Sequence, residues 1–226
     1  MPASDSDPDL DAAYSVETPD DNRRLYATWA RSYDESFVQD RGYVYHQAVV
    51  AAFSQRHRPA GPLVDIGCGT GVVGVELCHH DTVIVDGIDL SLEMLEVAAA
   101  KTGTDAKPVY RNLIQADLTL PVDLGDGTYA GVLSAGTFTH GHLGPDPLDE
   151  VLRIAQPGGV LAIGVNADHF VASGFAEWFD RAVQGELITS FEIVRSGVYD
   201  SDVYAAADAE VHQNTMSSIA VFEKRV

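Results

Sequence analysis

From Leu63 to Asn166 the chain alternates short apolar runs with longer stretches in which apolar residues recur every three or four positions. The first pattern suits strands buried on both faces, the second amphipathic helices. Strands are predicted at about 62–66, 83–88, 108–115, 129–135 and 159–166, and helices at about 71–79, 91–102, 146–155 and 169–184. Such alternation builds an α/β fold, a parallel sheet with helices on both faces. The pattern then changes. Segments 187–198 and 216–224 are both strand-like with no long helix between them, and read as a closing antiparallel pair with 200–214 as a long connection. Ser91 is placed to cap the second helix, whose inner face carries Met94, Leu95, Val97 and Ala98. Gln156-Pro157-Gly158-Gly159 stops the third and turns into the fifth strand.

Upstream of the alternation, Asp21-Asn22 can cap a helix with Leu25, Trp29 and Tyr33 on its apolar side. A second helix is predicted from Tyr43 to about Gln55, stopped by Arg58-Pro59-Ala60-Gly61-Pro62. Residues 1–20, rich in Asp, Ser, Pro and Ala, read as an acidic tail, disordered or loosely docked, and 21–226 as one domain.

Charge narrows the function classes. Against 34 acids stand 14 bases, a formal net charge of −20, and the seven acids of residues 1–22 account for only part of it. A field of that sign repels phosphate backbones and anionic lipid surfaces, so neither nucleic acid nor membrane is an expected partner. No signal-like basic-then-apolar start is present, which points to a cytoplasmic protein. Cys68 and Cys78 make neither a disulfide framework nor a zinc spacing, and read as small buried residues of a reducing compartment.

Chemistry concentrates in Leu63-Val64-Asp65-Ile66-Gly67-Cys68-Gly69-Thr70-Gly71-Val72-Val73-Gly74. An apolar strand meets an acid, then three glycines on alternate positions, then a helix start. Glycine is required where a ligand touches bare backbone and where the turn needs positive φ. Two frames overlap. Gly69-Thr70-Gly71-Val72-Val73-Gly74 fits the dinucleotide fingerprint, with Asp89 twenty residues on to grip a ribose. The other frame starts earlier, as Asp65-x-Gly67-x-Gly69-x-Gly71, because Asp65, Gly67 and Cys68 already break the apolar strand.

The second frame, with its flanks, resembles the first motif of class I S-adenosylmethionine-dependent methyltransferases, and further matches follow in order. Val85-Asp86-Gly87-Ile88-Asp89-Leu90-Ser91 with Met94-Leu95 looks like that family's second strand and next helix. Gln115-Ala116-Asp117-Leu118 looks like its adenine-binding segment, and Tyr129-Ala130-Gly131-Val132-Leu133-Ser134 like its fourth strand. Leu152-Arg153-Ile154-Ala155-Gln156-Pro157-Gly158-Gly159-Val160-Leu161 is similar to its turn into strand five. Tyr26–Asp34 resembles the N-terminal cover of small-molecule members, such as quinone-biosynthesis and Williams–Beuren-region methyltransferase-like proteins. The likeness covers roughly residues 22–226. It implies a Rossmann-like seven-stranded, mostly parallel sheet of order 3-2-1-4-5-7-6 with an antiparallel last strand and N-terminal cover helices.

It also implies roles. S-adenosylmethionine is the expected cofactor, and S-adenosylhomocysteine the product. Gly67, Gly69 and Gly71 would let backbone approach the methionyl and ribose parts, with Asp65 meeting the ammonium, directly or through water, or fixing the turn. Asp89 would accept both ribose hydroxyls. Asp117 and the Leu118 amide would read the adenine, Leu90 and Met94 would sandwich it, Ser134 would border the site from strand four, and Tyr33 would close over the methionyl end.

The acceptor side is less defined. Ligands in open α/β sheets sit beyond the carboxyl ends of strands, where Thr137-Phe138-Thr139-His140-Gly141-His142 follows strand four. His140 and His142 are the candidate general bases, against a reading as surface or packing histidines. Asn166, Asp168 and His169 are as well read as helix caps, and Phe170, Phe175, Trp178 and Phe179 as core. The spacing of His140, His142 and His169 demands no metal. The expected activity is methylation of a small molecule by in-line displacement, in a monomer or homodimer. An NAD(P)-dependent oxidoreductase and a non-catalytic S-adenosylmethionine-binding protein are the alternatives, and no Tyr-x-x-x-Lys pair supports the oxidoreductase.

Overall fold

The computed structural model describes residues 16, 18–80, 83–200 and 216–226. Its centre is β1 (Leu63–Ile66), buried at every position, flanked by β2 (Val85–Asp89) and β4 (Tyr129–Phe138). With β3 (Tyr110–Gln115), β5 (Ala155–Asn166), β6 (Ile188–Gly197) and β7 (Met216–Lys224) they form one sheet of order β3-β2-β1-β4-β5-β7-β6. All neighbouring pairs from β3 to β5 are parallel, whereas β7 runs antiparallel to both β5 and β6. This is the order and direction expected from the sequence resemblance. The dinucleotide-binding order is 3-2-1-4-5-6. The inserted, reversed β7 therefore separates this fold from the oxidoreductase alternative.

Side chains alternate across the sheet, as a pleated strand requires. Leu63 and Val85 face a core shared with α2 (Tyr45–Ser54), α3 (Val72–His80) and α4 (Leu92–Ala99). Val64, Ile66 and Ile88 face the opposite core with α5 (Leu148–Ile154) and α7 (Phe175–Gln184). Phe175, Trp178 and Phe179 are buried in that second core, where Phe179 packs edge-on against Phe222. Among the described residues, none of the three lines the cavities described below, in keeping with the core reading.

Local structure departs from the sequence reading at three places. The first helix, α1, spans Pro19–Trp29 rather than starting after Asp21-Asn22: Thr18 is its cap, accepting from the Asp21 amide at 3.1 Å, with Pro19 in the first turn. Tyr33 thus lies beyond α1, just before a π-helix at Asp34–Gln39. The helix predicted at 169–184 is two helices, α6 (Ala167–Ala172) and α7, divided at Gly174, whose φ is +82°. Asn166 caps α6 through its side chain, accepting from the Asp168 and His169 amides. Ser91 caps α4 as expected. β5 starts at Ala155, four residues before its predicted start.

Most of the acidic tail and of the 200–214 connection lies outside the described residues. Val16, within the former, is buried. Among the described residues no helix is long and apolar enough to cross a membrane.

Candidate functional site

Every wall of the site comes from the C-terminal end of a parallel strand or from the segment covering it. β1 ends in a turn with Gly67, Gly69 and Gly71 at φ of +64°, +52° and +93°, and α3 starts at the next residue. Two of these glycines have different reasons to be there. A Cβ on Gly67 would lie 2.0 Å from Thr137 Oγ1, so the C-terminal end of β4, which runs three residues past its predicted end at 135, rests directly on the turn. Nothing lies within 4 Å of the corresponding position on Gly69, which leaves bare backbone facing open space.

Asp89, at the end of β2, ties this turn down. Its Oδ2 accepts from the Gly69 amide at 2.8 Å and its Oδ1 from the Ser91 amide at 2.9 Å. Each carboxylate oxygen has two acceptor sites, so both retain capacity for a ligand. Burial raises the Asp89 pKa, opposed by these amides. Asp117 follows β3, and its Oδ1 accepts from the Thr119 amide and hydroxyl.

Asp65 stands apart. It is fully buried on β1, its Oδ2 accepts from the Tyr110 hydroxyl at 2.7 Å, and its Oδ1 has no hydrogen-bond partner. Burial pushes its carboxyl up to about 7, the Tyr110 hydrogen bond opposing and the nearby Asp89 charge adding. Tyr110 is a residue the sequence did not reveal. Its ring occupies the space that Gly71, Gly74 and Gly87 leave by lacking a Cβ, and its hydroxyl reaches Asp65 across 45 positions of sequence. Only its place in an apolar strand was visible beforehand.

Between these elements lies a cavity of about 200 Å³. Of the predicted site residues, Tyr33, Gly67, Gly69, Asp89, Leu90, Met94, Asp117, Leu118 and His142 line it. Asp65, Gly71, Ser134 and His140 do not. Asp65 and Gly71 lie behind the wall, Ser134 is buried and donates to the Ile66 carbonyl, and the His140 ring packs edge-on against His169 at 4.9 Å.

The roof is the N-terminal segment, through Thr18, Pro19, Asn22, Tyr26 and Tyr33. It is held down at both ends. Asp34 accepts from Thr70 of the glycine turn at 2.5 Å and pairs with Lys101 beyond α4. At the other end Val16 lies against Gly141, where a Cβ would come within 2.4 Å of the Val16 carbonyl oxygen. Neither contact could be inferred from local pattern.

A second, smaller cavity adjoins the first, and Tyr26, Tyr33, Gly136 and His142 line both. His142 is oriented at this seam. Its Nδ1 lies 3.0 Å from the His140 carbonyl, which can only accept, so Nδ1 carries the proton. Nε2 then accepts from the Tyr26 hydroxyl at 3.1 Å. Burial lowers the His142 pKa, the His140 carbonyl opposing and neighbouring His169 adding, so the neutral form with a free-base Nε2 prevails at neutral pH.

Residues 63–159, which hold the glycine turn and all three carboxylates, match the family described as a methyltransferase domain. Within this segment the chain is similar to methyltransferase domains, and its strand order is the one expected of class I members. Methyltransferase-like protein 27 of Homo sapiens is 27% identical over 158 residues, 67% of this chain and 60% of that protein. The O-methyltransferase rstn1 of Aspergillus nomiae is 27% identical over 112 residues, 50% of this chain and 48% of its own. The matches thus span about half to three-fifths of these relatives' lengths. Among solved structures, a chain of the complex between the Haloferax volcanii Trm112 methyltransferase activator and a methyltransferase superposes with TM-score 0.62 at 20% identity, covering 89% of this chain and 98% of that one. Haemonchus contortus phosphoethanolamine N-methyltransferase 2, solved with S-adenosylhomocysteine, gives TM-score 0.62 at 13% identity, covering 91% of this chain and 58% of its own. The matched segment begins at β1, and the roof over the cavity is supplied by residues N-terminal to it.

Proposed function

We propose that this protein transfers a methyl group from S-adenosylmethionine to a small-molecule acceptor by direct in-line displacement. The observation that carries the reading is the roofed cavity in which the bare Gly67-Gly69 backbone, Asp89 and Asp117 converge from the ends of three successive strands. The fit to that cofactor is chemical. Open space at Gly69 admits a ribose against backbone, and Asp89 can accept from two vicinal hydroxyls. Leu90, Met94 and Leu118 offer apolar walls to a flat base, with Asp117 placed to accept from its amino group. The partnerless Oδ1 of Asp65 adds an acidic group behind the turn, suited to a ligand bearing positive charge.

Bound there, the sulfonium would bring a methyl group already activated for transfer. The protein's own work is then to align the acceptor, exclude water and take up a proton where the acceptor carries one. Tyr33 and Tyr26 close the roof, and His142 offers an unprotonated nitrogen at the mouth of the second cavity. Two relatives, both from Aspergillus species, are named O-methyltransferases, which favours an oxygen acceptor.

Calorimetric titration with S-adenosylhomocysteine tests the cofactor assignment. The wild-type protein should bind it, and Asp89→Ala should weaken binding by about 1–3 kcal/mol through lost charged hydrogen bonds. Recovery of NAD(P) from the purified protein, with no response to S-adenosylhomocysteine, would sink the proposal. Release of S-adenosylhomocysteine against a panel of acceptors separates an enzyme from a protein that only holds the cofactor.

A further inference from the structure

We infer that the acceptor is a neutral aromatic hydroxyl compound, seated in the ring-lined second cavity and deprotonated through Tyr26 by His142. The inference rests on the methyl-donor reading above and adds the class of acceptor and the route of its proton.

The second cavity is walled by Tyr26, Trp29, Tyr33, Phe37, Tyr43 and Tyr199, and no Asp, Glu, Lys or Arg is among its lining residues within the described part of the chain. An anionic acceptor would shed its hydration there without meeting a cation. An ammonium acceptor would meet no carboxylate among the described lining residues. Nor do the rings form an inward-facing cage for a cation, because they are spent on one another. Tyr26 stacks on Trp29 at 6.0 Å, while Tyr33 and Phe37 meet Trp29 edge-on at 5.0 and 5.5 Å. A flat neutral ring can join such a cluster by the same offset and edge-on contacts.

The proton route follows from the seam between the cavities. Tyr26 and His142 line both, so a hydroxyl reaching from the second cavity toward the first meets the Tyr26 oxygen. The acceptor's proton passes to Tyr26 Oη as the Tyr26 proton passes to His142 Nε2, along the existing 3.1 Å contact. The acceptor oxygen forms its bond to the methyl carbon as the carbon–sulfur bond breaks. Sulfur keeps that electron pair and becomes a neutral thioether. The imidazolium left on His142 releases its proton to solvent after the products leave. The titratable groups around His142 are Tyr26 from α1, His169 from α6 and His140 from its own loop. Of these, His169 further disfavours a resting positive charge, the His140 carbonyl opposes that effect, and Tyr26 is the proton donor.

Binding is read first, on protein without cofactor, by quenching of tryptophan fluorescence, since Trp29 lies in the cavity wall. Para-cresol should bind at least about tenfold more tightly than benzoate or benzylamine. Equal or tighter binding of either charged ring overturns the acceptor class. Turnover is read next. Tyr26→Phe and His142→Asn should keep para-cresol affinity within about threefold while its methylation falls by about a hundredfold or more. The loss in both variants should lie in kcat, with KM for para-cresol staying within about threefold of wild type. Wild-type rates in Tyr26→Phe, or a loss carried by KM alone, overturn the proton route. If S-adenosylhomocysteine itself fails to bind the wild-type protein, the methyl-donor reading falls. If it binds and para-cresol does not, only the present inference falls.

Discussion

Gly67→Ala is expected to destabilise the protein by about 2–5 kcal/mol and to abolish cofactor binding. Two separable effects add. A side chain at φ +64° costs about 1–2 kcal/mol in the left-handed region. The new Cβ would also lie 2.0 Å from Thr137 Oγ1 and 2.8 Å from Thr137 Cβ, and forcing atoms into a packed site costs about 1–3 kcal/mol. Rotation of Thr137 cannot relieve the second clash, and its hydroxyl already donates to the Ile66 carbonyl at 3.2 Å. The turn after β1 must therefore move away from the end of β4. Gly69→Ala is the contrast. Its Cβ meets nothing, so only the dihedral effect of about 1–2 kcal/mol applies, yet the methyl group projects into the cradle and should block binding. Urea midpoints for the two variants separate these effects. Equal destabilisation would refute the clash with Thr137.

Asp65 should make the ligand-free protein less stable as pH rises from about 4 through about 7. The sign follows from its pKa, about 7 in the folded chain against an ordinary 3.8. Between those values the folded state holds a proton that the unfolded state has lost, so stability falls with rising pH and levels off above the folded value. The full effect amounts to about 4 kcal/mol. Asp65→Asn can keep the Tyr110 hydrogen bond and should remove this slope, leaving the variant more stable than wild type in mildly alkaline buffer. A positively charged ligand near the turn would favour ionised Asp65. Its binding should then release a proton across that range, seen as a buffer-dependent enthalpy in calorimetry. Parallel stability–pH curves for wild type and Asp65→Asn would show that burial of this carboxyl has no such consequence.

The strand order was legible because each βα unit repeats the same apolar alternation, and because 187–198 and 216–224 lack a helix between them. Interruptions were harder to read. Gly174 breaks the last helix although the apolar spacing from Phe170 to Phe179 runs through it, so periodicity concealed a left-handed residue. At α1 the Thr18-Pro19 pair was the true start signal, but the acidic surroundings drew attention to Asp21. Within the site, strand-end residues such as Asp89 and Asp117 could be placed from motif spacing alone. The partners that shape them could not. Tyr110 beneath Asp65, Tyr26 on His142 and Lys101 on Asp34 each join segments tens of residues apart, through contacts that no local pattern encodes.

The chain has only three lysines, and each sits in a different state. Lys107 is exposed beside Asp105, Lys224 donates to two backbone carbonyls, and Lys101 pairs with Asp34 to hold the roof over the larger cavity. An amine-reactive label read by mass spectrometry would thus carry its own calibration. Lys107 marks the rate of an exposed amine in an ion pair and Lys224 that of a protected one. The position of Lys101 between them then reports the fraction of time the roof stands open.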